Sequence, residues 1–210
     1  MKINYKRYLA FILGLAALAL GVALASQASF GLSAYDAINF GIADKLNLSV
    51  SMAINVSSVV AIVLASVIRR KKPRISTFIT GLIMGVMIDL WVGVVQNINA
   101  ESMIIKAILF ILALILMGAG IAAYVISKLP PSPLDDLLVA LDEAIKINMG
   151  KIKIGIDVSC MIIAVILGGP IGLGTIVLAF LLGPTINFFY KIMDKYNIVG
   201  NTQVDTSVCN

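Results

Sequence analysis

Residues 11–36 read FILGLAALALGVALASQASFGLSAYD, and residues 110–135 read FILALILMGAGIAAYVISKLPPSPLD. At a constant offset of 99 the two stretches align without gaps and are identical at Phe11/Phe110, Ile12/Ile111, Leu13/Leu112, Leu15/Leu114, Gly21/Gly120, Ala23/Ala122, Ser33/Ser132 and Asp36/Asp135. Apolar matches come cheaply in such segments; the Ser and Asp matches do not. The correspondence continues downstream. Ile54-Asn55-Val56-Ser57 pairs with Ile156-Asp157-Val158-Ser159 at offset 102, and Thr77, Gly85 and Ile88-Asp89 pair with Thr175, Gly183 and Ile186-Asn187 at offset 98. The chain reads as two copies of one unit, residues 1–100 and 101–195, followed by a polar tail over 196–210.

Composition says where such a unit lives. Of 210 residues 60% are hydrophobic and 13% charged, with mean hydropathy +1.03; soluble domains carry about 25% charged residues. This argues against a water-soluble globule. Residues 8–26, 50–68, 76–97, 107–127, 154–168 and 172–192 are apolar runs able to cross a bilayer as helices, 154–168 being the shortest. Three spans per unit is an odd number, so the second copy starts from the opposite face and the repeats are inverted about a pseudo-two-fold axis in the membrane plane. Residues 28–49 and 128–150 are too long for a turn and too apolar for a free loop, so each unit is expected to hold a further short helix. In the second of these, Leu134, Leu137, Leu138, Leu141 and Ile145 form one apolar face, with Asp135, Asp136, Asp142, Glu143 and Lys146 elsewhere, a pattern suited to an interfacial or re-entrant helix. The expected fold is all-α: six transmembrane helices as two inverted three-helix repeats, each with one short helix.

Charge orients the chain. Lys2, Lys6 and Arg7, the Arg69-Arg70-Lys71-Lys72 and Arg74 cluster, Lys128, Lys146, Lys151 and Lys153, and Lys191 and Lys195 make 14 of the 16 basic residues on one side, against Lys45 and Lys106 on the other. Both termini are therefore expected to be cytoplasmic, in a multi-pass plasma-membrane protein. The same rule explains the net charge of +5 without nucleic acid. Residues 1–29 also have the profile of a cleavable signal peptide, but the repeat needs that helix. The chain holds no His, and its two Cys residues, Cys160 and Cys209, fall in an apolar segment and the polar tail; no metal site, disulfide or cofactor is expected.

Ser33-Ala34-Tyr35-Asp36 and Ser132-Pro133-Leu134-Asp135 both read S-x-x-D, with Ser33 and Ser132 as helix caps and Asp36 and Asp135 returning a bond to the Ser N–H. Asp89 and Asp157 lie inside apolar segments, with Asn55 and Asn187 as repeat partners. A carboxylate in a bilayer costs about 2.5–3.5 kcal/mol, so it faces the interior, finds a partner or takes up a proton. Asp36, Asn55 and Asp89 are thus expected to form one substrate- or ion-binding group near the outer face, and Asp135, Asp157 and Asn187 its counterpart near the inner face. A shared-proton aspartate dyad is the enzymatic alternative, but no G-x-G-D stretch, nucleophile elbow or phosphate loop is present. The chain is read as no enzyme.

These motifs carry a resemblance. S-x-x-D after the first helix of each unit, Gly172-Leu173-Gly174-Thr175, and Gly183-Pro184-Thr185-Ile186-Asn187-Phe188 resemble the YczE/YyaS/YitT family of bacterial integral membrane proteins over residues 10–193. Asn187 stands where that family's pattern has an acid, and Ala34 where it has Pro. The resemblance implies a bacterial inner-membrane protein and supplies no reaction. Inverted repeats recur in secondary transporters, because one unit in two conformations swapped between halves yields outward- and inward-open states. The functional expectation is a transporter or permease for a small solute or ion in a lipid bilayer, with a homo-oligomer among the expected assemblies. The alternative is a non-transporting accessory subunit, whose helices would pack without a central polar cavity.

Overall fold

In the computed structural model, which describes residues 5–145 and 149–196 (side chains of residues 149 and 150 excepted), eight helices follow one another. They are α1 Tyr5–Ala28, α2 Ala34–Leu46, α3 Val50–Arg69, α4 Ile75–Val95, α5 Met103–Ile126, α6 Pro133–Ile145, α7 Met149–Leu167 and α8 Leu173–Lys195. Their ends are set locally. Ser49 and Ser102 cap α3 and α5 through side-chain oxygens, while Ser29, Asn47, Arg70 and Lys128 turn the chain out of α1, α2, α3 and α5 at φ between 51° and 57°. The tail beyond Tyr196 with Cys209, and Lys2 and Lys146 of the basic groups, lie outside the described residues.

Five helices, α1, α3, α4, α5 and α8, are long and apolar enough to cross a membrane. The sixth expected span falls in α7. It is 19 residues long but carries Lys151, Lys153 and Asp157 in its first half, which leaves no uncharged stretch of spanning length. The two short helices, α2 and α6, lie where the sequence called for them.

α1 and α5 pack along each other as the central pair, and α4 lies on α1 and α8 on α5. Bilayer lipid offers no hydrophobic gain for association, so close approach must come from small residues. A Cβ on Gly120 would lie 2.6 Å from the Gly14 carbonyl oxygen and 2.5 Å from the Leu18 nitrogen. Along the same crossing, Gly21 meets Ala113 and Met117. The outer helices interlock across the halves: α6 packs on α3, and α2 on α7. The turn after α1 is tied to the turn before α8, the Leu32 N–H donating to the Pro170 carbonyl at 3.0 Å and the Gly174 N–H to Phe30 at 2.7 Å.

Candidate functional site

Where α2, α3, α6 and α7 meet, they enclose a cavity of about 670 Å³. Tyr35, Ile38 and Ile42 line it from α2, and Leu134, Leu137 and Leu141 from α6. These positions correspond one to one at the offset of 99 seen in the sequence. α3 contributes Ser57 and α7 its repeat partner Ser159. Each face is apolar for the reason legible in the sequence, a stripe at helical spacing, and it turns inward because the opposite edge of each short helix carries its acids.

The hydroxyl groups in the wall are few and occupied. The Tyr35 and Ser57 hydroxyls lie 3.0 Å apart, and Ser57 also donates to Oδ1 of the buried Asn39 at 2.6 Å. Ser159 donates to the Gly155 carbonyl at 2.8 Å. Lys151 is the charged residue of the wall.

None of the six expected binding residues lines this cavity. Ser33 and Ser132 do cap α2 and α6, their oxygens accepting from the N–H groups of Asp36 and Asp135 at 3.3 Å. The return bond differs from the expectation, because each carboxylate accepts from the Ser hydroxyl, at 2.5 Å for Asp36 and 2.7 Å for Asp135. Asp135 also accepts from the Tyr124 hydroxyl. Burial pushes the Asp36 carboxyl from 3.8 up to about 6, with the Ser33 hydroxyl opposing. Asp89 accepts from the Ser51 N–H at 3.0 Å and so ties α4 to the first turn of α3. Asp157 pairs with Lys153, one turn earlier on its own helix, at 3.0 Å. Asn55 and Asn187 are half-buried, and the Asn55 side-chain amide oxygen, Oδ1, has no partner. Among the described residues no hydrogen bond joins the members of either expected group.

A polar site that sequence reading passed over lies between α3 and α6. Arg69, with its side chain 5% exposed, binds Asp136, 2% exposed, at 2.8 Å, and its second nitrogen donates to the Asp136 carbonyl at 2.8 Å. Arg74 meets the same carboxylate at 2.9 Å and Glu143 meets Arg69 at 3.1 Å. The sequence reading places Arg69 among the orienting charges and Asp136 off the apolar face of its helix. The available signal was an arginine ending an apolar helix and a second acid immediately after S-x-x-D.

Residues 5–191 match the family of unknown function DUF6198. The chain is 31% identical over 196 residues to the uncharacterized protein YyaS of Bacillus subtilis, covering 93% of this chain and 98% of the relative. It is 28% identical over 183 residues to the uncharacterized membrane protein YczE of the same organism, covering 87% and 84%. The resemblance drawn from the repeated motifs therefore holds for both names. No solved structure gives a significant match.

Proposed function

The chain belongs to the DUF6198 family, and from that premise we propose that this multi-pass membrane protein is a secondary transporter moving a small solute by alternating access. In this reading α1–α4 and α5–α8 are inverted repeats, α7 is the sixth span with Lys151 and Lys153 at its membrane surface, and both termini are cytoplasmic. The protein is a permease of the plasma membrane and does no covalent chemistry.

One observation carries the reading: the cavity is bounded by repeat-related pairs, α2 with α6 and α3 with α7. A binding site on a pseudo-two-fold axis sees the same surroundings from both halves, which is what alternating access requires of it. Reciprocal contacts along α1 and α5 support the axis. Gly21 faces Ala113 and Met117 while Gly120 faces Gly14 and Leu18, and the offset of 99 turns one set into the other. The packing is unequal elsewhere: α3 lies along α4, whereas α7 makes no comparable contact with α8. Unequal packing of like halves is the form one end state of such a cycle takes. The six polar residues lose the coupling role, since each acid is engaged in a cap, a helix tie or an ion pair, and the cavity takes over as the binding site. Its apolar wall also keeps the accessory-subunit reading in play, as a lipid-filled gap between packed helices.

Spin-label distances across both seams in lipid bilayers test this. Labels at Val67 and Ala144 span the α3–α6 seam, and labels at Lys45 and Ile166 the α2–α7 seam. Alternating access predicts two populations at each seam, one widening as the other narrows. A single narrow distance at both seams would overturn it in favour of the accessory subunit.

A further inference from the structure

The transport reading leaves the substrate open, and the cavity wall narrows it. Apart from Lys151, the wall bears hydroxyls and a thiol as its polar side-chain groups, and the Ser57 and Ser159 hydroxyls already donate to protein oxygens. A hydrated ion or sugar entering here would lose water contacts with little in return, a cost of several kcal/mol per stranded polar group. An apolar body incurs no such cost. Shape adds a second constraint: the lining on α7 runs from Lys151 to Leu167, about 24 Å along the helix axis at 1.5 Å per residue. The cavity is thus long and takes an extended molecule.

Access and charge supply the rest. Val56, Val60 and Leu64 of α3 and Ile163 of α7 line the cavity yet are 45–54% exposed, and α3 and α7 do not pack together. Large apolar side chains exposed on α3 and the second half of α7 make a doorway to lipid. Lys151, exposed at one end, has no ion pair among the described residues, whereas the neighbouring Lys153 is held by Asp157 and Glu143 by Arg69. A free cation at the end of an apolar slot complements one anionic head.

We propose that the cavity binds a free single-chain anionic amphiphile, which enters sideways between α3 and α7, sets its head against Lys151 and lays its hydrocarbon chain between α2, α3, α6 and α7. This deepens the transport reading by naming the substrate class, and it rests on the same cavity.

The test uses the full chain in phosphatidylcholine nanodiscs with a 16-carbon fatty acid bearing a diazirine near its tail, adducts being mapped by mass spectrometry. The expected adducts fall on Val56, Ile163 and Leu167, at the end of the cavity away from Lys151. A Cβ on Gly155, which lines the cavity, meets no atom within 4 Å, so Gly155→Leu fills the slot without a clash; it should cut labelling at least tenfold without lowering the unfolding midpoint. Lys151→Gln should weaken the acid about tenfold and leave the corresponding 16-carbon alcohol unchanged. Labelling indifferent to Gly155→Leu, or an alcohol labelling as well as the acid in the unaltered protein, would overturn the proposal. Competition by phosphatidylglycerol as strong as by unlabelled fatty acid would also overturn it, leaving an ordinary lipid contact. Binding is read here at equilibrium, so a site that binds while both seams show one distance would sink transport and leave the site standing.

Discussion

At the α3–α6 seam Asp136 is buried against Arg69 and Arg74, with Glu143 closing the network. At the α2–α7 seam Asp36 is buried with the Ser33 hydroxyl and no cation among the described residues, and the contact is backbone on backbone, Gly41 lying on Gly169 and Gly169 on the Ala37 carbonyl. The two seams join helices whose residues match at fixed sequence offsets, so their difference lies in the side chains each brings. One is a directional latch that, once broken, strands a buried charge. The other is a close van der Waals fit that can part without stranding a charge. Under the alternating access proposed above, the charged seam is the one expected to hold the state described here.

The comparison breaks most sharply at Asp136. Asp136→Ala leaves the buried Arg69 with only the half-exposed Glu143 as counter-ion, a loss of up to about 3–5 kcal/mol, read as a lower unfolding midpoint in detergent; Arg69→Met combined with Asp136→Leu should restore most of it. If Asp136→Ala unfolds like the parent, the latch contributes nothing. Gly169→Val attacks the other seam, because a Cβ there would lie 2.1 Å from the Ala37 carbonyl oxygen. Overpacking of this kind costs about 1–3 kcal/mol, and the Lys45–Ile166 label distance should lengthen; an unchanged distance would show that the glycine contact does not set the seam.

Asp36 sharpens the contrast through pH. Its carboxyl is raised to about 6 in the fold from 3.8, so between those values the folded chain binds a proton that the unfolded chain does not. Stability therefore rises as pH falls from about 6 to 5, by about 1 kcal/mol over that unit. Asp36→Asn should remove that rise, measured as the pH dependence of the unfolding midpoint. The smallest effect is expected at Glu143, 47% exposed: Glu143→Gln should shift stability by less than about 1 kcal/mol. A larger loss would make the rim of the latch as important as its buried pair.

Much of the frame was legible in the chain. Apolar runs of spanning length announced most of the long helices, the stripe from Leu134 to Ile145 announced α6, and Ser33 and Ser132 announced the caps of α2 and α6. The site was less legible. An aspartate in an apolar segment signals that it needs a partner, but not which one: Asp89 found a backbone N–H on α3, and Asp157 found Lys153 on its own helix. For Asp136 the helix taken alone shows only an apolar and a polar face, and nothing local reveals that α3 brings an arginine to the polar one.

The sequence by itself determined the membrane and most of the long helices, because hydrophobic length is a property of the chain read in order. Only the tertiary structure decided which charges are latched, which glycines touch and where the empty space lies. Those depend on distances between segments far apart in sequence, as Arg69 is from Asp136, and a buried charge or a cavity exists only once the surrounding helices have closed around it.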